Sequence, residues 1–399
     1  FLNNNCKNRS LTSLFTMESS PLTIMLVPFK AQDASKPVES VYVVSGSEPT
    51  QSFSLIQHQM SIKEPSPIYS ATRLLLNQVV NTARYPDLLF EEKYEDYEWR
   101  EKTYQAFLLN MVEAPIAEHD GKLVFFYKLN DTVSIQEDKL KEIPFSDFQS
   151  TLPNLAKELS EALDSTITEK WPKFAVFNCE PTKKWIGHYE ALYKGLYQNP
   201  RETWRSYRFE DLDFPSEEEL KQLKGVVISG SCLGAYEPVE WFPKFEEIIR
   251  TLVNTMPSCK VLGVCFGHQI LAQAMGGKVT KMKLDGFPLC LNRETIQFKE
   301  SANPFTNQAL KELGENGEFN GIEIHGDHVE EIPPGARVIG TSKTTRVEMF
   351  EIGQSVICTQ FHPEFNALYM EKRLIRDERE LQKSYPDIEK ILEESTSQM

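Results

Sequence analysis

Residues 261–269 read VLGVCFGHQ, and this stretch constrains the chain more than any other. An apolar run ends in Gly263-Val264-Cys265-Phe266-Gly267, and a helix-like segment over 270–275 follows it. A G-x-C-x-G pattern between a strand and a helix predicts a sharp turn that projects the Cys265 thiol. Small residues two positions before and after the thiol let strand and helix pack closely. The backbone N–H of Phe266, near the helix N-terminus, then faces any oxyanion formed at Cys265. The same helix end favours the thiolate, the form that attacks. The alternative is a buried cysteine flanked by packing glycines.

A cysteine nucleophile needs a base, and the base needs an orienting group. Gln360-Phe361-His362-Pro363-Glu364 offers both, just past a run over 356–361 that reads as a strand. Catalytic groups gather at the carboxyl ends of parallel strands, where His362 and Glu364 would lie. Glu364 is close enough in sequence to fix the His362 tautomer.

GVCFGHQ followed by FHPEF resembles the class I glutamine amidotransferase family, and further segments fit in family order. Residues 226–231, VVISGS, resemble the family's strand and glycine turn, which implies a second oxyanion N–H from the Gly230–Ser231 region. Residues 324–329, IHGDHV, resemble the segment beside the glutamine site. Within the family, ISGS, GVCFGHQ, HGDHVEEIPP and VEMF are most similar to the γ-glutamyl peptidase-like branch, which implies hydrolysis without a synthetase partner. The resemblance runs from about Lys173 to Tyr369. Ser231 replaces a second glycine and Ile324 replaces the usual serine; neither is a triad member.

The resemblance implies a Cys265–His362–Glu364 triad, with Gln269, His325 and Asp327 around the substrate. Gln269 also reads as a polar residue at a helix start, and His268 as structural. His325, Asp327 and His328 include suitable zinc ligands, but the family pattern explains their spacing without metal. No metal and no cofactor are expected.

At 399 residues, 40% hydrophobic and 25% charged, the chain can bury a substantial core and suggests two domains. A net charge of −15 argues against nucleic-acid binding, which depends on basic surface. No apolar run approaches the length of a membrane span. Seven scattered cysteines without C-x-x-C suit free thiols in a reducing compartment. Residues 1–17 carry Lys7 and Arg9 with no acid, which resembles a mitochondrial targeting remnant. The alternative takes Met17 as the start and a cytoplasmic location.

The expected organisation is an α+β region over 1–170, an amidotransferase-like domain over 171–369 and a charged helical tail over 370–399. Expected strands in the first region are 41–44 and 122–129. Leucines 152, 155, 159 and 163 predict an amphipathic helix over about 152–164. The aromatic, acidic stretch 90–107 reads as a second helix. From Lys173 on, strands and helices alternate as in a doubly wound, mostly parallel α/β sheet with antiparallel additions.

These features give a cysteine hydrolase acting on a glutamine γ-amide or γ-glutamyl bond through a γ-glutamyl thioester. Residues 1–170 hold no phosphate-binding synthetase signature. The alternative is an accessory subunit of a large mitochondrial assembly, docked through 1–170 and the tail. In particular, 90–107 or the 152–164 helix is expected to bury area against another chain or the catalytic domain.

Overall fold

The computed structural model describes residues 23–30, 38, 40–45, 53–54, 56–59, 66–79, 107–108, 110–120, 122–129, 133, 135–136, 140–182, 187–282, 290–301, 303, 306–307, 310 and 317–365. The expected leader, the 90–107 helix (apart from Phe107) and the 370–394 tail lie outside these residues. The chain divides into two compact units. One takes Ser20–Pro172 together with Lys183–Thr203; the other takes Lys173–Thr182 and the chain from Trp204 on.

The first unit is a seven-stranded mixed sheet with helices. Its strands are β1 (Thr23–Lys30), β2 (Ser40–Ser45), β3 (Phe53–Ser54), β4 (Ile56–Gln59), β5 (Ile116–His119), β6 (Lys122–Lys128) and β7 (Leu140–Pro144). β1 pairs parallel with β6, from Ile24↔Leu123 to Phe29↔Lys128. The helices are α1 (Pro67–Gln78), α2 (Phe145–Thr151), α3 (Pro153–Leu163) and α4 (His188–Tyr197). Leu155 and Leu159 of α3 are buried in one cluster with Val27, Phe29, Val124 and Phe126, and Leu152 and Leu163 pack against it. The apolar stripe of the 152–164 helix is therefore covered by its own sheet. α4 packs on α1: Ser66 Oγ donates to the Ala191 carbonyl at 3.0 Å. Gly195 allows this approach, since a Cβ there would lie 2.5 Å from Ser66 Cβ.

The second unit is built on a nine-stranded sheet in the order β14-β13-β16-β17-β18-β11-β10-β8-β9. Its strands are β8 (Lys173–Asn178), β9 (Thr203–Arg208), β10 (Leu223–Ile228), β11 (Lys260–Val264), β13 (Cys290–Phe298), β14 (Glu318–His325), β16 (Ala336–Thr341), β17 (Met349–Ile352) and β18 (Val356–Thr359). A separate ribbon joins β12 (Lys278–Lys281) to β15 (Asp327–Glu331). β8, β10, β11 and β18 pair parallel. The short runs VVI and KVLGV form the middle of this half, as apolar strands covered on both faces do. α5 (Phe242–Thr255) buries Phe242, Phe245, Ile248, Ile249 and Leu252 on one side, and α6 (Phe266–Ala274) follows β11 directly. β13, β14, β16 and β17 add the antiparallel half.

The two glycines around Cys265 are needed for close approach. A Cβ on Gly263 would sit 2.7 Å from the Gly267 carbonyl oxygen, and one on Gly267 would sit 2.4 Å from the Ile228 carbonyl oxygen. Both clashes are with backbone, which cannot step aside as a side-chain tip can. Gly267→Ala should therefore destabilise the protein by about 3 kcal/mol or more. Gly335→Ala, at φ +79° with open space around the new methyl, should cost about 1 kcal/mol. Chemical denaturation of both variants checks the order; equal losses would show that the β10–α6 approach is not tight.

Candidate active site

Cys265 occupies the turn between β11 and α6 with φ 51° and ψ −104°. A non-glycine residue there costs on the order of 1–3 kcal/mol, which the surroundings must hold in place. They do so through hydrogen bonds on both sides. Cys265 N–H donates to the Thr359 carbonyl at 2.8 Å, and Gln269 N–H donates to the Cys265 carbonyl at 3.1 Å. The thiol is buried, with Sγ 3.7 Å from the Ile324 carbonyl oxygen.

The turn after β10 lies against the start of α6, because Gly267 N–H donates to the Ser229 carbonyl at 3.1 Å. Ser229 Oγ accepts from Cys179 N–H at 2.9 Å and donates to the Gly230 carbonyl at 2.8 Å. Ser231 Oγ accepts from Leu233 N–H at 3.2 Å. Glu180 ties this turn to the loop after β8: its carboxylate accepts from Thr182 N–H at 2.9 Å and Cys232 N–H at 3.1 Å. Gly230 and Ser231 thus stand in a braced loop beside the amide end of α6, whose first residue is Phe266.

Register brings His362 to the thiol. β11 and β18 are adjacent, with Val264 opposite Thr359, so the residues following each strand share one edge. His362 Nδ1 is 2.8 Å from Glu364 Oε1, and both side chains are buried. The ring stacks on Phe365 at 4.3 Å, and His362 N–H donates to the Ile322 carbonyl at 2.9 Å. Burial opposes charge on this imidazole, yet the Glu364 carboxylate and then the Cys265 sulfur overcome it and hold its pKa well above the ordinary histidine value.

Gln269, His325 and Asp327 form a linked group. Gln269 Nε2 donates to the Asp327 main-chain oxygen at 2.9 Å and to Gln360 Oε1 at 3.1 Å. His325 Nδ1 meets the same Asp327 oxygen at 2.8 Å. The Asp327 carboxylate accepts from Tyr236 OH at 3.0 Å; burial raises its pKa and Tyr236 partly offsets that. His268 is fully buried against Phe350 at 4.8 Å, and burial pushes its pKa down to about 3, which fits packing. His328 turns away to Thr280, with Nε2 3.3 Å from Oγ1. The side chains of His325, Asp327 and His328 therefore have separate partners, and among the described residues no group of three or more metal-ligating side chains converges.

Sequence reasoning missed the residues behind Cys265, His362 and Glu364. Glu323 and Glu348 are completely buried, and Glu294 is nearly so. Glu323 Oε2 comes within 3.2 Å of His325 Nε2, and Glu348 Oε1 accepts from Ser342 Oγ at 2.6 Å. Burial pushes Glu323 up to about 8, with Glu294 adding to the rise and His362 and Glu348 opposing it; burial pushes Glu348 up to about 9, with Glu323 and Glu294 adding to the rise. Gln360, also missed, sits two residues before His362 and carries the link to Gln269. The sequence pattern pointed the other way: along β14 the polar Glu323 and His325 take the buried positions, while Ile322 and Ile324, which alternation would place inside, are half-buried.

Residues 188–380 match the family described as glutamine amidotransferase class-I. The chain is 37% identical to gamma-glutamyl peptidase 4 of Arabidopsis thaliana over 198 residues, 49% of this chain and 76% of that protein. It is 33% identical to gamma-glutamyl peptidase 3 of the same plant over 213 residues, 50% of this chain and 80% of that protein. A solved glutamine amidotransferase from Thermotoga maritima superposes with a TM-score of 0.45 at 21% identity, covering 56% of this chain and 90% of that one.

The buried carboxyl at Glu348 sets a pH dependence of stability. Its pKa is about 9 in the fold against 4.5 for the ordinary side chain. Between those values the folded state binds more protons than the unfolded chain, so this residue's contribution to stability falls as pH rises across the window. Glu348→Gln removes that slope. Its melting temperature should gain steadily on the parent from pH 5 to pH 9, by calorimetry; an offset independent of pH would show that Glu348 ionises normally.

Proposed function

Because the chain belongs to the class I glutamine amidotransferase family, in its γ-glutamyl peptidase-like branch, we propose that it hydrolyses γ-glutamyl bonds with Cys265 as nucleophile. The observation that carries the reading is the thiol on a strained strand-to-helix turn beside a buried His362–Glu364 pair at 2.8 Å. His362 takes the Cys265 proton, and Sγ attacks the γ-carbonyl carbon. The N–H groups of Phe266 and the Gly230–Ser231 turn receive the developing oxyanion. As the C–N bond breaks, His362 returns the proton to the leaving amine or ammonia. A γ-glutamyl thioester is left on Cys265. Water, deprotonated by His362, attacks the thioester carbon, the C–S bond breaks and glutamate departs.

Gln269, His325 and Asp327 border the substrate in this reading, through the carbonyl that Gln269 and His325 share. The names of the peptidase relatives favour γ-glutamyl peptides over free glutamine. A second reading, an accessory subunit of a larger, mitochondrial assembly, draws on the first unit, which has its own buried core and none of the proposed triad. It requires native migration far above the 45.8 kDa of the chain.

Cys265→Ser should abolish release of glutamate from γ-glutamyl dipeptides. His362→Ala should lower kcat by on the order of 10^4-fold or more, and Glu364→Gln by less, because the imidazole stays in place. A parent protein that cleaves no γ-glutamyl substrate and whose Cys265 resists alkylation would sink the reading. Equal, negligible losses in the last two variants would remove them from the mechanism.

A further inference from the structure

The triad's floor contains more acceptors than donors. Both oxygens of Glu323, Oε2 of Glu348 and Nε2 of His325 are buried and make no aligned hydrogen bond. A buried polar group in that state costs on the order of 1–3 kcal/mol, so an explanation is required. His325 supplies part of it. Its Nδ1 faces the Asp327 main-chain oxygen at 2.8 Å, which can only accept, so Nδ1 carries the hydrogen. If the ring is neutral, Nε2 is an acceptor too, facing Glu323 Oε2 at 3.2 Å. Acceptors facing one another in a dry site need protons among them, and the carboxyl groups are the places to put them.

The charge around the group agrees. Glu323 faces His325 on its own strand and Glu294 and Cys290 on β13. Glu348 lies across from it ahead of β17, and His362 lies beyond the end of β18. His268 on α6 adds its influence to His325 but is neutral. Burial lowers the His325 pKa and raises those of Glu323 and Glu348, so the uncharged form of each is the stable one.

We infer that Glu323 is a positioning residue that works as a neutral carboxylic acid, its proton satisfying the Glu348–His325 group and holding the 323–325 strand end against the thiol. That strand end carries the Ile324 carbonyl, 3.7 Å from Cys265 Sγ, and His325, which with Gln269 holds the Asp327 carbonyl. Loss of the proton sets an unpaired carboxylate against Glu294 and Glu348. His362 is the nearby cation, so the new charge holds its proton more tightly and slows delivery to the leaving amine. The alkaline limb of activity then reports Glu323. This role in catalysis rests on the hydrolase reading above.

Two measurements on the full chain test it. Glutamine mimics a protonated acid and leucine does not. Glu323→Leu should lower kcat/KM for a γ-glutamyl dipeptide by about 100-fold through misplacement of the strand end. Glu323→Gln should restore most of that loss and move the alkaline limb up by about one pH unit or more. An unmoved limb in Glu323→Gln, or a Gln variant as impaired as Leu, would overturn the proposal. Histidine-labelled NMR of the parent protein, assigned with His325→Gln, supplies a readout that needs no substrate. His325 should be neutral at pH 7 with the hydrogen on Nδ1; a doubly protonated His325 would make Glu323 a carboxylate and overturn it too. Should the parent cleave no γ-glutamyl bond, the hydrolase reading and the catalytic role of Glu323 fall together, while the His325 signal still decides whether Glu323 holds its proton.

Discussion

The parallel pairing of β11 with β18 is the constraint on which the site depends. Val264 stands opposite Thr359, and one hydrogen bond, Cys265 N–H to the Thr359 carbonyl at 2.8 Å, fixes the backbone of the thiol to the strand that delivers His362. A shift of this register by one residue would turn every side chain of β18 to the opposite face and carry His362 with it. The turn at Cys265 then holds because its flanks are also tied. Gly267 N–H reaches Ser229 on one side, and the close contacts of Gly263 and Gly267 leave no room for relaxation. Strain stored in one residue is kept there by three strands and a helix.

The second half of the chain was largely legible in its sequence. Local patterns with a steric cause read correctly: the apolar runs of β10 and β11 and G-x-C-x-G at a strand end. Cys265, His362 and Glu364 stood out because chemistry demands such residue types in a recognisable spacing, and the fold brings them to one edge of the sheet. Glu323 and Glu348 were not found. An acid in an edge strand such as β14, or just ahead of one such as β17, reads as a solvent-facing position, and only long-range packing makes its surroundings dry. Gln360 escaped for a similar reason, since its partner Gln269 lies far away in sequence.

The first unit was less legible. Its expected strands at 41–44 and 122–129 correspond to β2 and β6, but five further strands and the helices α1 and α2 went unread. β1, with Pro28 and Lys30 in it, does not alternate clearly. It acquires its place from long-range pairing with β6. The leucine stripe of α3 was seen, but amphipathicity states that a face is covered and not by what. In the structure that cover is the sheet formed by β1, β2, β5 and β6.

The route of the chain has a consequence for how the protein is made. Residues 183–203, which carry α4, belong with the unit that the chain had left at Pro172, and the chain then returns to the other unit at Trp204. During synthesis the first unit therefore lacks the helix that packs on α1 until β8 and α4 have both left the ribosome. Ser66 and the groove it shares with Gly195 wait for a segment encoded well over a hundred residues later. Neither unit corresponds to a single uninterrupted stretch of gene. A deletion or gene fusion at residue 172 would strand α4 on the wrong side of the cut, so recombination could not exchange one unit cleanly without disturbing the other.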